Sequence, residues 1–237
     1  MLIAGMEKQS LLDYPGEVVA VLFSQGCNLA CPFCHNGGLI PVNKRENNYL
    51  EPELIERFLS ERKGFLDGVV FSGGEPTLQP DLLQMITAVK GLGYLIKLDT
   101  NGTNTAVLQY LLQNKLLDYV AMDIKAPLDL KKYRAACGAR LTSLNFMNIR
   151  NSAQLLLQPW EARVEFRTTV VPALHQPDDV AEIAQNIKGA ACYSLQQFNP
   201  ENAYDKNFRL AGTYTRAELV QMGARCGQYV QKVRVLA

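Results

Sequence analysis

The chain has 237 residues, 48% of them hydrophobic and 20% charged, with 24 basic side chains against 23 acidic ones. That length can bury a core without disulfides, and the composition excludes a disordered tail, a coiled coil, a collagen-like repeat and a small stapled scaffold. A net charge of +1 gives no electrostatic reason to expect nucleic acid or an anionic membrane as partner.

Residues 1–17, MLIAGMEKQSLLDYPGE, lack the basic head and apolar run of a signal peptide. The nearby apolar stretch VVAVLF is far short of the roughly 18 residues that span a bilayer. A soluble, cytoplasmic protein with reduced thiols is therefore expected. Residues 18–24 predict a buried strand that leads straight into a cysteine-rich segment. Helical spacing of Leu54, Ile55, Phe58 and Leu59 predicts a helix over 52–65, and 68–71 (GVVF) a strand stopped by two glycines. Leu82, Leu83, Met85, Ile86 and Val89 mark a helix that Pro80 and Asp81 can start. A strand at 94–98 follows, then a helix at 106–117 and a strand at 119–124. Helices are expected at 130–136 and 145–157, a strand at 163–171, a helix at 177–187 and a strand at 193–198. An irregular Asn/Pro/Asp stretch, a helix at 215–226 and a terminal QKVRVL complete the chain.

Six strands alternating with helices imply βαβ units and a parallel sheet in a single domain. Periodicity leaves open whether the sheet is doubly wound or curved like a barrel. In both, ligands sit at the carboxyl ends of the strands, and the unusual residues of this chain gather there. Cys27, Cys31 and Cys34 follow the first strand, and Gly73, Gly74 and Glu75 the second. Asp99 and Thr100 end the third, Asp123 and Lys125 the fourth, and Arg167 lies within the fifth. Read alone, Asp99 and Asp123 also suit turn or capping positions, and Lys125 a solvated loop.

Three of the six cysteines fall within eight residues, spaced C-x3-C-x2-C; Cys137, Cys192 and Cys226 are scattered singly. A short loop can fold three thiolates toward one soft metal centre. Structural zinc would need a fourth ligand, with His35 the nearest candidate. A [4Fe–4S] cluster on three cysteines would leave one iron open to a substrate. His175, in a loop before Gln176-Pro177, reads as exposed. Tyr14 and the Leu11-Leu12 pair read as sealing the edge of the sheet.

The cysteine loop, with Phe33 just before its last cysteine, resembles the signature of the radical S-adenosylmethionine superfamily. Ser72-Gly73-Gly74-Glu75-Pro76 is similar to the GGEP motif of that superfamily. Asp99-Thr100-Asn101-Gly102, Met122-Asp123-Ile124-Lys125 and Val170-Val171-Pro172 resemble segments of its glycyl-radical-enzyme activating enzymes. The N-terminal SLLDYPG, with Cys34-His35-Asn36, looks most like the activating proteins of anaerobic ribonucleoside-triphosphate reductase.

The resemblance implies a partial (β/α)6 TIM-like barrel, with a core over about 16–200 and a C-terminal extension over 201–237. It implies one [4Fe–4S] cluster on Cys27, Cys31 and Cys34, whose open iron chelates the methionine moiety of S-adenosylmethionine. Phe33, Gly73, Gly74, Glu75, Asp99, Asp123, Lys125 and Arg167 are then expected around that ligand, with Glu75 near its ammonium group. Asp99, Thr100 and Asp123 would hold a monovalent cation, since two carboxylates beside an anionic ligand need positive charge between them. Reductive cleavage would yield a 5′-deoxyadenosyl radical that takes hydrogen from a glycine of a partner enzyme. A flavodoxin- or ferredoxin-type protein would supply the electron. No auxiliary cluster is expected; residues 41–49 lack the cysteine-rich insertion of longer activating enzymes. The alternatives are a small-molecule enzyme like the carboxy-deazaguanine synthases and a non-catalytic zinc module.

Overall fold

Eight strands lie side by side in strict chain order in the computed structural model, which describes residues 1–41 and 49–237. They are β1 (Ile3–Ser10), β2 (Val19–Ser24), β3 (Gly68–Gly73), β4 (Leu95–Thr100), β5 (Tyr119–Asp123), β6 (Arg163–Val170), β7 (Tyr193–Gln197) and β8 (Val233–Leu236). All pairings from β2 to β8 are parallel, and β1 joins β2 antiparallel. Helices cross between them: α1 (Pro52–Glu61), α2 (Leu82–Gly91), α3 (Thr105–Gln113), α4 (Leu130–Cys137), α5 (Ser143–Leu156), α6 (Pro177–Asn186) and α7 (Arg216–Cys226). The sheet is open: β1 and β8 are its two edges.

All six expected strands are present, and two more flank them. The β1 sequence, IAGMEKQS, buries only Ile3 and carries Glu7 and Lys8 on an edge, which hides the period-two signal. The last strand, VRVL, is four residues long and no more than half-buried. Since β8 and α7 pack against β7, the expected extension over 201–237 is part of the sheet and its cover. The helix expected over 106–117 stops at Gln113, because Lys115 adopts a left-handed φ of 55°.

Alternation along each strand separates two faces. Ala20, Leu22, Val69, Phe71, Ile96, Leu98, Val120, Met122, Phe166 and Leu195 point to one side and share a single core with residues from all seven helices. Helices on one face alone give a barrel-like sheet rather than a doubly wound one. The opposite face is apolar only toward the amino ends, where Val19, Val21, Val70, Tyr119 and Ala121 meet Tyr14. Tyr14 sits edge-on to Tyr119 at 5.2 Å and seals that end. Its neighbours do not share the role: Leu11 and Leu12 are 66% and 92% exposed. Toward the carboxyl ends the same face turns polar, with Ser72, Asp99, Asp123, Arg167, Thr169 and Gln196 around a cavity. No helix among the described residues is long and apolar enough to cross a membrane.

Candidate active site

The loop after β2 is fastened from several sides before any ligand is considered. Gly26 and Cys27 donate backbone hydrogen bonds to Leu39 and Ile40 at 2.7 and 3.2 Å, and Ala30 donates to Cys137 at 3.1 Å. The far end of the chain adds two more: Tyr204 donates to the Cys34 carbonyl at 3.1 Å and Asp205 to the Pro32 carbonyl at 2.9 Å. The irregular stretch after β7 therefore backs the cysteine loop, a function its composition gave no sign of.

Cys27, Cys31 and Cys34 line one cavity of about 360 Å³, and Phe33, Gly73, Gly74, Asp99, Thr100, Asp123, Lys125 and Arg167 line it with them. Residues from five strand ends are thus brought together. Gly73 has φ +106°, and a Cβ on it would lie 2.5 Å from Ser24 N; one on Gly74 would lie 2.1 Å from Gly26 O. Glycine is demanded here by the close approach of β3 to β2 and its loop. The same approach leaves bare backbone facing the cavity.

Glu75 is the exception among the expected site residues. Its carboxylate is fully buried and does not line the cavity. It accepts from Thr77 N at 3.1 Å, Thr77 Oγ1 at 2.5 Å, Thr100 Oγ1 at 2.8 Å and Asn101 N at 2.6 Å. Burial raises its pKa against the pull of those donors. Glu75 ties the end of β3 to the end of β4. Glu75→Ala would strip four donors of their acceptor, a loss of about 3–5 kcal/mol. We expect the midpoint of thermal unfolding, followed by circular dichroism, to fall by roughly 10 °C. A drop within ~2 °C would contradict this role.

Asp99, Asp123, Lys125 and Arg167 alternate in charge along the cavity, and the buried Lys97 backs Asp99. Arg167 reaches Asp99 at 3.3 Å and Asp123 at 3.0 Å, Lys97 reaches Asp99 at 2.8 Å, and Lys125 reaches Asp123 at 3.2 Å. Burial works against the Asp123 carboxylate, but Arg167 and Lys125 outweigh it and hold the pKa at about 2. Burial likewise opposes the charge of Lys125, and Asp123 with Cys31 and its neighbouring thiols raises its pKa well above the ordinary lysine value. Lys97, Lys125 and Arg167 supply positive charge beside Asp99 and Asp123. Thr100, expected to help hold a monovalent cation, gives its hydroxyl hydrogen to Glu75. Asp99 Oδ1 faces Lys97 without an aligned hydrogen bond.

Burial pushes the Cys27 thiol up to about 12 and raises Cys34 as well. Cys31 is held below its ordinary value by a hydrogen bond from Cys137, against the effect of burial and with help from Lys125. A soft metal centre that takes up thiolates, together with the charge of Lys125, fits this donor set. His35 does not complete a zinc site: it stacks on Phe198 at 5.9 Å and 17°. All six cysteines are free thiols.

Several residues of the site carried no warning. His175, expected to be exposed, is fully buried. Its Nδ1 accepts from Val171 N at 3.0 Å and its Nε2 meets the Lys125 carbonyl at 2.9 Å, which pins the lysine loop to the end of β6. Lys97, Thr169 and Gln196 were legible only as inward positions of strands. Asn101 belongs to the Asp99-Thr100-Asn101-Gly102 segment, yet its contact with Cys27 Sγ at 3.7 Å comes from the fold.

The profile of the radical SAM superfamily matches residues 21–154. A Methanocaldococcus jannaschii protein, named provisionally as a glycyl-radical enzyme activating enzyme, is 36% identical over 98% of this chain and 94% of its own. The pyruvate formate-lyase-activating enzyme of Clostridium pasteurianum is 34% identical over 52% of each chain. The solved structure of Streptococcus suis SuiB bound to S-adenosylmethionine shares the fold, with a TM-score of 0.67 and 18% identity over 92% of this chain and 50% of that one. A half-open parallel sheet, three thiols on the loop after its first parallel strand and a near full-length relative agree. The chain belongs to the radical SAM superfamily, in the family of the glycyl-radical enzyme activating enzymes.

Proposed function

We propose that this enzyme reductively cleaves S-adenosylmethionine at one [4Fe–4S] cluster held by Cys27, Cys31 and Cys34. The outcome is removal of the α-hydrogen from one glycine of a partner enzyme, an anaerobic ribonucleoside-triphosphate reductase. The observation that carries this reading is the convergence of three thiols with Asp123, Lys125 and Arg167 on one cavity. When bound, the cluster and S-adenosylmethionine supply one-electron chemistry strong enough to break a C–H bond.

The chain supplies binding, orientation and exclusion of water. Lys125 uses one donor on Asp123 and keeps others for a carboxylate or ribose hydroxyl. Arg167, fixed by two carboxylates, presents a rigid guanidinium edge in the same cavity. Phe33 lies under the Lys125 ammonium at 5.9 Å and closes the wall beside the thiols. Bare backbone at Gly73 and Gly74 lets a ligand lie close. A glycine suits a site open along the edge of the sheet, because it has no side chain to obstruct approach.

Exposed Arg140 sets its guanidinium on the Cys27 carbonyl at 3.4 Å. Lys131, Arg134 and Arg150 are exposed in the same segment, residues 125–167, while Lys125 and Arg167 face the cavity. An acidic electron donor of flavodoxin or ferredoxin type fits there. Six free thiols suit a reducing, cytoplasmic setting.

Electron paramagnetic resonance tests the partner. The reduced, reconstituted enzyme with S-adenosylmethionine is expected to raise a glycyl doublet on an anaerobic ribonucleotide reductase. Absence of the doublet, together with turnover of a small molecule such as a carboxy-deazaguanine precursor, would favour the small-molecule reading instead.

A further inference from the structure

The turn after β4 sets a side-chain amide against the cysteine loop. Asn101 is 5% exposed, and it lines the cavity together with Cys27. Its Nδ2 donates to Cys27 Sγ at 3.7 Å and to Asn28 Oδ1 at 3.1 Å. Its Oδ1 accepts from Thr103 N at 3.0 Å and from Thr103 Oγ1 at 2.7 Å. A primary amide has two hydrogens to give and two lone pairs to fill, and here all four are used. Thr103 fixes which way the amide points. A backbone N–H can only donate, so the amide oxygen must face it and the NH2 must face the sulfur.

The surroundings hold that orientation. Asn28 Nδ2 donates to Thr103 Oγ1 at 2.8 Å, so Asn28, Asn101 and Thr103 close a ring of hydrogen bonds between the cysteine loop and the turn. Asn101 N donates to the buried Glu75 carboxylate at 2.6 Å. From the helical side, Asn148 Nδ2 of α5 donates to the Thr103 carbonyl at 3.0 Å. Gly102 turns at φ +77°, and a Cβ on it would stand 2.2 Å from the Met122 methyl. The amide is thus presented to Cys27 by a turn held from the cysteine loop, the end of β3 and α5. Leu29 N reaches the same sulfur at 3.5 Å, but as a backbone donor it is common to any variant.

We propose that Asn101 is a positioning residue for the cluster: its side-chain N–H on Cys27 Sγ orients that ligand and makes the bound cluster easier to reduce. The proposal rests on the cluster assignment made above. A cysteine bound to iron is a thiolate, which only accepts hydrogen bonds. Reduction adds negative charge that spreads onto the ligating sulfurs. A donor on one of them stabilises the reduced state more than the oxidised one, and the potential rises. Burial enlarges the effect, since electrostatic interactions are less screened there.

The test uses the full chain, reconstituted anaerobically with iron and sulfide, as wild type, Asn101→Ala, Asn101→Asp and Asn148→Ala. The last loosens the same turn without touching the donor. Iron content is measured, and the signal of the reduced cluster is followed against applied potential. Asn101→Ala is expected to have a more negative midpoint than wild type. Asn101→Asp keeps an acceptor for Thr103 but sets a carboxylate oxygen against the sulfur, so its midpoint is expected to be lower still. Asn148→Ala is expected to keep the wild-type midpoint. An unmoved midpoint in both Asn101 variants, or an equal fall in Asn148→Ala, overturns the proposal. Should the Asn101 variants lose their iron, wild-type chain labelled isotopically at the asparagine side-chain nitrogens decides. Pulsed electron paramagnetic resonance of its reduced cluster is expected to show coupling to a labelled amide nitrogen, and absence of that coupling overturns the proposal. Failure of the wild-type chain to take up iron overturns the cluster assignment itself, which is a different result.

Discussion

Replacing Cys31 with alanine is expected to abolish iron binding, from roughly four irons per chain to background, and with it all cleavage of S-adenosylmethionine. The prediction follows from position. Cys31 is the middle ligand of the loop, and it lines the cavity beside Cys27 and Cys34. The fold does not depend on the thiol. The loop is fastened by backbone bonds from Ile40, Cys137, Tyr204 and Asp205, and loss of one small side chain is expected to cost about 1 kcal/mol. A folded, colourless protein is therefore the expected product. Cys226 gives the contrast: it is buried in α7, with its thiol on the Met222 carbonyl at 3.3 Å, and Cys226→Ala should keep its iron. Equal iron loss in both variants would mean that the cysteines have been misassigned.

Arg167→Ala is expected to destabilise the protein by about 1–3 kcal/mol, because it removes the cation shared by two partly buried carboxylates. Asp99 would keep only Lys97, and Asp123 only Lys125. The pH dependence gives the prediction its sign. In the wild type the pKa of Asp123 is lowered from 3.8 to about 2. Its contribution is complete above the unfolded value of 3.8 and is lost as pH falls toward 2. Without Arg167 that carboxyl titrates nearer its ordinary value, so acid unfolding should begin at higher pH. Arg167→Lys should restore part of the stability, since one ammonium cannot make both contacts in the planar fork that guanidinium provides. Affinity for S-adenosylmethionine should fall in Arg167→Ala in step with the disorder of Asp123 and Lys125. Unchanged acid unfolding would show that the network carries no such coupling.

Much of this architecture is legible in the sequence, and for a physical reason. A strand buried on both faces, such as VVAVLF, is a short apolar run, and one that ends at Cys27 or Gly73 announces its carboxyl end. Edge strands lack that signature. The polar β1 and the four-residue β8 exist because a neighbour supplies hydrogen bonds, and such pairing leaves little trace in composition. The same limit applies within the site. The motif containing Glu75 was visible, but not that its carboxylate would turn inward to Thr77, Thr100 and Asn101. His175 looked like a loop residue because its partners, Val171 N and the Lys125 carbonyl, are backbone atoms. The grip of Tyr204 and Asp205 on the cysteine loop is likewise made by backbone. The pairing of Lys97 with Asp99 was likewise not legible, because it depends on strand register.

The most direct test is product analysis of the wild-type enzyme, reconstituted anaerobically, reduced with dithionite and given S-adenosylmethionine. The account predicts an iron–sulfur chromophore and the release of 5′-deoxyadenosine and methionine in equal amounts. Uptake of zinc in place of iron, no chromophore and intact S-adenosylmethionine would contradict it.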